Sequence, residues 1–314
     1  MSGNSKNNFA GIEVAMRTMR GVVISEAGET LASREANYEP ENLISAITDL
    51  TAGLREVADL KSVGLAIPGL VNRETDRVLY STGLPFTAQD HIHAELMQAT
   101  GLRFELENDA NAAAYGEYKA GAGRDARDIF YIGIGDAIGG AIILDGKLWT
   151  GASGCAGEIG HITINTDGAE CICGNVGCLE TVASGPNLVR RARERLNRDS
   201  TSSLSRLAMQ EDFTAGDVAL EARNGDDFSV MMLERTGRSI GIAVASMINL
   251  LSIERIILGG TIMEAGDLIL LPIVAEARKR SFQPCFEATK IVPAQLGVDG
   301  VAIGAALLVR DADI

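Results

Sequence analysis

The chain has 314 residues, 46% of them apolar and only 4% aromatic, with a formal net charge of −14 at pH 7. An acidic surface disfavours direct nucleic-acid binding, and the shortage of aromatics disfavours a stacking platform for single strands. The sequence shows no run of about 18 apolar residues and no basic-then-apolar N-terminus, which predicts a cytoplasmic protein with no membrane contact.

The length allows two domains. Residues 1–8 are polar and expected to fray. Apolar alternation over 10–25 predicts a two-stranded hairpin, and 29–38 a third strand. Leu43, Ile44, Ile47, Leu50 and Leu54 have helical spacing and predict a helix over 42–58. Then follow a buried strand over 62–67 ending at Pro68-Gly69, a helix over 91–100, a strand over 103–106 and a helix over 111–122. A second hairpin is predicted from 129 to 149, with a Gly-containing turn at 135–139 and the hairpin dipeptide Asp145-Gly146.

Residues 184–196 read as a helix that the Ser184 hydroxyl can cap. Its run Arg190-Arg191-Ala192-Arg193-Glu194-Arg195 is expected to be a solvated face. The segment 197–213 is polar and ambiguous. A long apolar helix over 228–251, a buried strand over 253–258, a helix over 268–280, a strand over 290–294 and a closing helix over 301–309 complete the chain. Strand–strand–strand–helix–strand–helix order therefore occurs twice. It predicts an N-terminal α/β domain over 9–118 and a larger one over 119–298. A C-terminal helix over 299–314 can pack back on the first domain. A cleft between two such domains would suit a small ligand.

Chemistry concentrates between Gly154 and Glu180. His161, Cys171, Cys173 and Cys178 make a Cys3His set, which suits a closed tetrahedral zinc site within a loop over 154–180. Gly174 and Gly177 permit the tight turn that such convergence needs. Buried free cysteines are the alternative. A disulfide fits poorly with an odd cysteine count and no export signal. Glu158 and Glu180 flank the set. Each can meet a ligand or serve only as a partner to a metal-binding side chain. Glu107-Asn108-Asp109-Ala110-Asn111 joins a strand to a helix. Asp109 there can act as a base toward a hydroxyl, or Asp109 or Asn108 can be a plain helix cap, and spacing alone does not choose.

Four motifs together resemble the ROK family of bacterial sugar kinases, repressors and uncharacterised open reading frames. They are Ala156-Gly157-Glu158-Ile159-Gly160-His161, Cys171-x-Cys173-Gly174-x-x-Gly177-Cys178-Leu179-Glu180, Glu107-Asn108-Asp109-Ala110-Asn111 and Pro68-Gly69-Leu70-Val71-Asn72. The resemblance runs from about Gly11 to Ala306. It implies a two-domain actin-like (ribonuclease H-like) α/β sugar-kinase fold, a structural zinc and a homodimer. It also implies a hexose or hexose derivative bound through Gly69, Asn108, Asp109, Glu158, His161 and Glu180, with Asp109 as the catalytic base.

Departures fall on the nucleotide side. The family's first phosphate turn, Asp-x-Gly-Gly-Thr-Lys, is matched by Glu13-Val14-Ala15-Met16-Arg17-Thr18, which lacks both glycines. Glu13 keeps a carboxylate for a metal-bound water. The second turn is Gly135-Asp136-Ala137-Ile138-Gly139-Gly140, where Asp136 replaces a phosphate-donating hydroxyl. The third, Gly259-Gly260-Thr261, is ordinary. The resemblance implies that the first two turns face each other, so Arg17 can either pair with Asp136 or reach the γ-phosphate of ATP. Three readings follow. The first is an ATP- and Mg2+-dependent, glucokinase-like hexose kinase. The second is a sugar-binding pseudokinase or sensor. The third is an interaction protein with a vestigial site. The chain opens directly on this homology, so direct DNA binding is not expected.

Overall fold

The N-terminal apolar alternation folds into the hairpin it predicts. β1 (Asn8–Val14) and β2 (Thr18–Ser25) pair antiparallel, with Val14 opposite Met19. The structure is a computed structural model that describes residues 7–312 except 74, 76, 82–83, 85–90, 197–201 and 211–212. Of the segment expected to fray, residues 1–6 lie outside the described residues. Asn8 is 7% exposed and donates its Nδ2–H to the Asp59 carbonyl at 3.1 Å. The chain forms two compact units. One comprises Met1–Asp125, Ala141–Ala156 and Gln295–Ile314, and the other Ala126–Gly140 and Gly157–Ala294.

The first unit continues through β3 (Thr30–Asn37), α1 (Leu43–Arg55), β4 (Leu60–Ile67), β5 (Leu70–Asn72), β6 (Arg77–Tyr80), α2 (Ile92–Thr100), β7 (Arg103–Asn108) and α3 (Asp109–Ala120). Its main sheet has the order β3-β2-β1-β4-β7, with β4 parallel to both β1 and β7. Side chains alternate across a strand. Ala10, Ile12 and Val14 therefore join Ile47, Leu50, Leu54, Ile92 and Leu96 in one core. Phe9 turns the other way, onto a core completed by α11 (Gly300–Ala312) through Ala302, Ala306 and Leu307. That helix lies backbone-to-backbone on the sheet. A Cβ on Gly11 would sit 1.9 Å from the Ala302 carbonyl oxygen, and one on Gly64 2.1 Å from that of Ala305.

Buried Glu117 anchors the same region. Its Oε1 accepts N–H bonds from Gln295 and Leu296 at 2.9 and 2.8 Å, and its Oε2 accepts one from Ala122 at 2.7 Å. A carboxylate with three backbone donors is well satisfied where no bulk water is needed.

A second five-stranded sheet has the order β10-β9-β8-β11-β12. β8 (Ile129–Ile134), β9 (Ile138–Leu144) and β10 (Lys147–Leu148) form the predicted second hairpin. Next come α4 (Glu180–Ala183), α5 (Gly185–Leu196), α6 (Leu204–Leu207), α7 (Ala215–Arg223), α8 (Asp227–Leu251), β11 (Arg255–Gly259), α9 (Asp267–Arg280), α10 (Gln283–Ala288) and β12 (Lys290–Pro293). β11 is parallel to β8 and β12 and buried along its length, as expected for a central strand between helical layers. Asp226 caps α8 by accepting from the Ser229 N–H at 2.8 Å. Of the ambiguous segment, 197–201 and 211–212 lie outside the described residues.

The arginine run corrects an expectation, since it is not simply a solvated face. Arg193 donates to the Ala208 and Gln210 carbonyls and lies over the Phe213 ring, while Arg191 is half-buried. Among the described residues, no helix is long and apolar enough to cross a membrane.

Candidate functional site

In the first unit, β7 runs straight into α3, so the Glu107-Asn108-Asp109 motif sits at a strand end and a helix start. Asn108 is the N-cap, and its Oδ1 accepts from the Asn111 N–H at 3.0 Å. Its Nδ2 donates to the Gly69 carbonyl at 2.9 Å and to Asp109 Oδ1 at 3.1 Å. The cap role considered for Asp109 or Asn108 thus falls to Asn108. Asp109 Oδ1 also accepts from the Ala110 N–H at 2.8 Å. Gly69 has φ 129°, and a Cβ there would meet the Tyr80 carbonyl oxygen at 2.2 Å, so no side chain fits.

Glu107, 4% exposed, supports this junction from below. Its Oε1 accepts from the Asn108 N–H and from Asn111 Nδ2, both at 2.9 Å. Its Oε2 faces Arg73 Nη1 at 3.3 Å. Burial pushes the Glu107 carboxyl up, against the pull of Arg73. Sequence reasoning missed Glu107 and Arg73. The buried acid inside the motif was the available signal, while Arg73 had none.

Glu13, near the end of β1, is held above the carboxylate range, up to about 7. Burial is the main cause, followed by the Asp109 charge, with Arg20 opposing. A buried carboxyl held up by a neighbouring carboxylate charge is a fitting partner with it for a dication. The turn after Glu13 is closed: the Ala15 N–H donates to the Thr18 carbonyl at 2.9 Å, and the Tyr38 N–H to that of Arg17 at 3.0 Å. The Tyr38 hydroxyl donates to the Ala15 carbonyl at 2.5 Å. Arg17 is exposed and borders a cavity of about 730 Å³ that it shares with Tyr38, Glu39 and Asp49.

In the second unit, the ligand atoms of His161, Cys171, Cys173 and Cys178 all lie within 4.8 Å of one another. Cys173 Sγ is 3.7 Å from Cys178 Sγ, and Cys171 Sγ is 3.6 Å from His161 Nδ1. With bonds of about 2.3 Å to sulfur and about 2.0 Å to nitrogen, tetrahedral edges come to roughly 3.5–3.8 Å. The donor set fits a tetrahedral metal. Burial and the neighbouring sulfurs push the Cys178 thiol up to about 12, a displacement that a bound dication would reverse. Engagement through Nδ1 leaves His161 Nε2 for another partner.

Glu158 precedes a single 3-10 turn, Ile159–His161. Burial raises its carboxyl above the usual range, with His161 opposing and Glu180 reinforcing. Glu180 opens α4, and its Oε2 accepts the Ile138 N–H at 2.9 Å. Glu180 is thereby tied to the second glycine turn. In that turn the Gly135 N–H donates to the Ala137 carbonyl at 3.0 Å, and the Gly185 N–H to the Gly135 carbonyl at 2.8 Å. Gly140 lies against the Gly157 carbonyl, where a Cβ would come within 2.5 Å, and Gly139 is half-buried beside it. Thr261 Oγ1 lies 3.7 Å from where a Gly135 Cβ would be, so the second and third turns adjoin. Gly259 packs under the Tyr131 ring, and Gly260 (φ 89°) against the Ile134 backbone. Asp136 is exposed.

The sequence profile of the ROK family matches residues 9–312. The chain belongs to the ROK family. It is 32% identical over 314 residues to a glucokinase of Streptomyces coelicolor, a match covering 96% of this chain and 98% of that one. It superposes with a TM-score of 0.87 on a ROK family glucokinase from Streptomyces griseus, crystallised with glucose and AMPPNP, at 31% identity over 96% of this chain and 99% of that one. The DNA-binding transcriptional repressor Mlc of Escherichia coli is also similar. It is 28% identical over 303 residues, covering 96% of this chain and 73% of the repressor. The fold of this ROK protein is the actin-like α/β sugar-kinase fold.

Proposed function

We propose that this ROK protein is an ATP-dependent hexose kinase of glucokinase type. The observation that carries the reading is the junction of β7 and α3. Asp109 lies at the carboxyl end of a parallel strand, where open α/β sheets present catalytic groups. Asn108, locked to the Gly69 carbonyl, and the Ala110 N–H both bond Asp109 Oδ1 and so fix the carboxylate at the strand end. In this reading Asp109 accepts the proton of the attacking hydroxyl. Asn108, Glu158, His161 and Glu180 hold hexose hydroxyls, with the backbone at Gly69 beside Asn108. Full-length similarity to glucokinases supports it. Mg·ATP, when bound, supplies the phosphoryl group and neutralises its charge. Glu13, Gly135, Gly139, Gly140, Gly259 and Gly260 are the residues proposed to line its phosphates.

The metal proposed for His161, Cys171, Cys173 and Cys178 is a structural zinc, supported by the two near-ideal tetrahedral edges. A homodimer is proposed on the family's pattern, and the exposed Leu250 and Phe282 of the second unit support it.

A second reading rests on particular residues. The first turn has no glycine at Ala15 or Met16, its Ala15 N–H is already bonded, and Asp136 puts an exposed carboxylate in the second turn. A polyphosphate meeting that carboxylate would be repelled. These features favour a protein that binds sugar without transferring phosphate. A coupled ADP-release assay separates the two. Hexose-dependent turnover in the wild type, abolished in Asp109→Asn, is the result expected of the kinase. Hexose binding by calorimetry without any turnover establishes the non-phosphorylating reading instead.

A further inference from the structure

The arginine run of α5 has a task that neither metal binding nor sugar binding accounts for. α4 is a single turn between a metal-ligand candidate, Cys178, and the start of α5. A helix this short satisfies few of its own carbonyls; that of Glu180 accepts the Ser184 N–H at 3.2 Å. Three successive ones accept side-chain donors from α5. Asn187 Nδ2 donates to the Glu180 carbonyl at 2.9 Å, Arg190 Nη2 to that of Thr181 at 3.2 Å, and Arg191 Nη1 to that of Val182. Residues 187, 190 and 191 fall on one helix face by their i, i+3, i+4 spacing.

Arg191 reaches further. Its Nη1 and Nη2 lie 3.4 and 3.3 Å from Thr236 Oγ1 on α8, a fully buried residue of that helix. The Thr236 hydroxyl in turn donates to the Met232 carbonyl at 2.9 Å. Arg191 is therefore a bracket between the central helix of the second unit and the C-terminal end of α4.

Its electrostatic setting is poor for a residue that only fills space. Burial first, and then the charges of Arg195, Arg190 and Arg235, together lower its pKa to about 10, with Glu194 opposing. An apolar side chain of similar volume would pack there without that desolvation. What a guanidinium adds is a rigid fork of donors aimed at helix-end carbonyls. At the other end of the same turn, the Glu180 carboxylate accepts the Ile138 N–H at 2.9 Å.

We propose that Asn187, Arg190 and Arg191 are positioning residues for Glu180, clamping α4 so that its carboxylate stays aimed at both the Ile138 amide and the hexose. The hexose half of this statement rests on the proposed function. The amide half does not.

The test uses full-length protein at full metal occupancy, with amide hydrogen exchange at Ile138 and glucose calorimetry as paired readouts. Arg191→Met should speed exchange at Ile138 at least several-fold and weaken glucose binding about tenfold, as for loss of a charge-assisted bond. Arg191→Lys should recover part of both. Arg195→Met, an exposed change on the same helix, should alter neither. In a Glu180→Gln background, Arg191→Met should add little further loss of glucose affinity, since both act through one group. Unchanged exchange at Ile138 in Arg191→Met overturns the clamp. Faster exchange with unchanged glucose affinity overturns the link to the hexose while leaving the metal and Asp109 readings intact. A wild type that binds no glucose removes the proposed hexose role, and this link with it. If Arg191→Met fails to fold, Asn187→Ala removes the bonds to the Glu180 carbonyl and the Ser184 hydroxyl and the acceptor of Arg190 Nε, and a loss of about fivefold in glucose affinity is expected. Wild-type affinity together with wild-type exchange in Asn187→Ala overturns the proposal.

Discussion

Replacing Glu13 by Gln should make the protein more stable at alkaline than at acidic pH, relative to the wild type. The folded chain holds the Glu13 proton up to about 7, against an ordinary value of 4.5, through burial first and the Asp109 charge second. A carboxyl with a raised folded pKa stabilises the fold below about 4.5. That contribution is lost as pH rises and is gone above about 7. At about 1.4 kcal/mol per pH unit, the interval from 4.5 to about 7 makes the ionised form cost the fold about 3.5 kcal/mol at most. Gln has the same shape and carries no charge. Urea unfolding of both proteins near pH 5 and near pH 8, without divalent cations, reads the effect directly. The stability difference, Gln variant minus wild type, should grow by about 2–3 kcal/mol between the two conditions. An equal difference at both pH values, or one that shrinks as pH rises, would refute the account of Glu13 as a strained neighbour of Asp109.

Three further outcomes follow from the geometry. Protein purified without added metal should carry about one equivalent of zinc by elemental analysis, and Cys173→Ser should lose most of it along with thermal stability. Arg73→Met leaves Glu107 buried without its cation, so unfolding experiments should show a loss of about 1–3 kcal/mol at neutral pH that shrinks as Glu107 is protonated at lower pH. Gly64→Ala would push a methyl to within 2.1 Å of the Ala305 carbonyl oxygen, so denaturant unfolding should show a loss of about 1–3 kcal/mol or more.

Most strands and helices were legible because their signals are local. Alternation marked β1 and β2, the 3.6-residue spacing of Leu43 to Leu54 marked α1, and Asp145-Gly146 marked the second hairpin. Helix starts were read late where the cap belongs to a motif: α3 begins at Asp109, ahead of the expected 111, because Asn108 caps it. α7 went unread although Thr214 and Asp217 form a capping box, a local signal that was available. The four side chains of the candidate metal site come together as expected because they are close in sequence. Long-range partners were not. Glu117 meets Gln295 and Leu296 across most of the chain, and nothing near Arg191 in sequence announces Thr236. The arginine run misled because composition suggests solvent, whereas the carbonyls of α4 supply the counter-partner.

The packing of α11 bears on how this protein is made. Its backbone closes over Gly11 and Gly64, in strands made well before it, yet it is synthesised only after the second unit. Roughly 175 residues separate Asp125 from Gly300. At translation rates of about 5–20 residues per second, the face of the first sheet carrying Phe9, Val22 and Ile24 waits roughly 10–40 s for its cover. The unit that starts first is thus completed last. During that interval its bare apolar face is the surface a nascent-chain chaperone would hold.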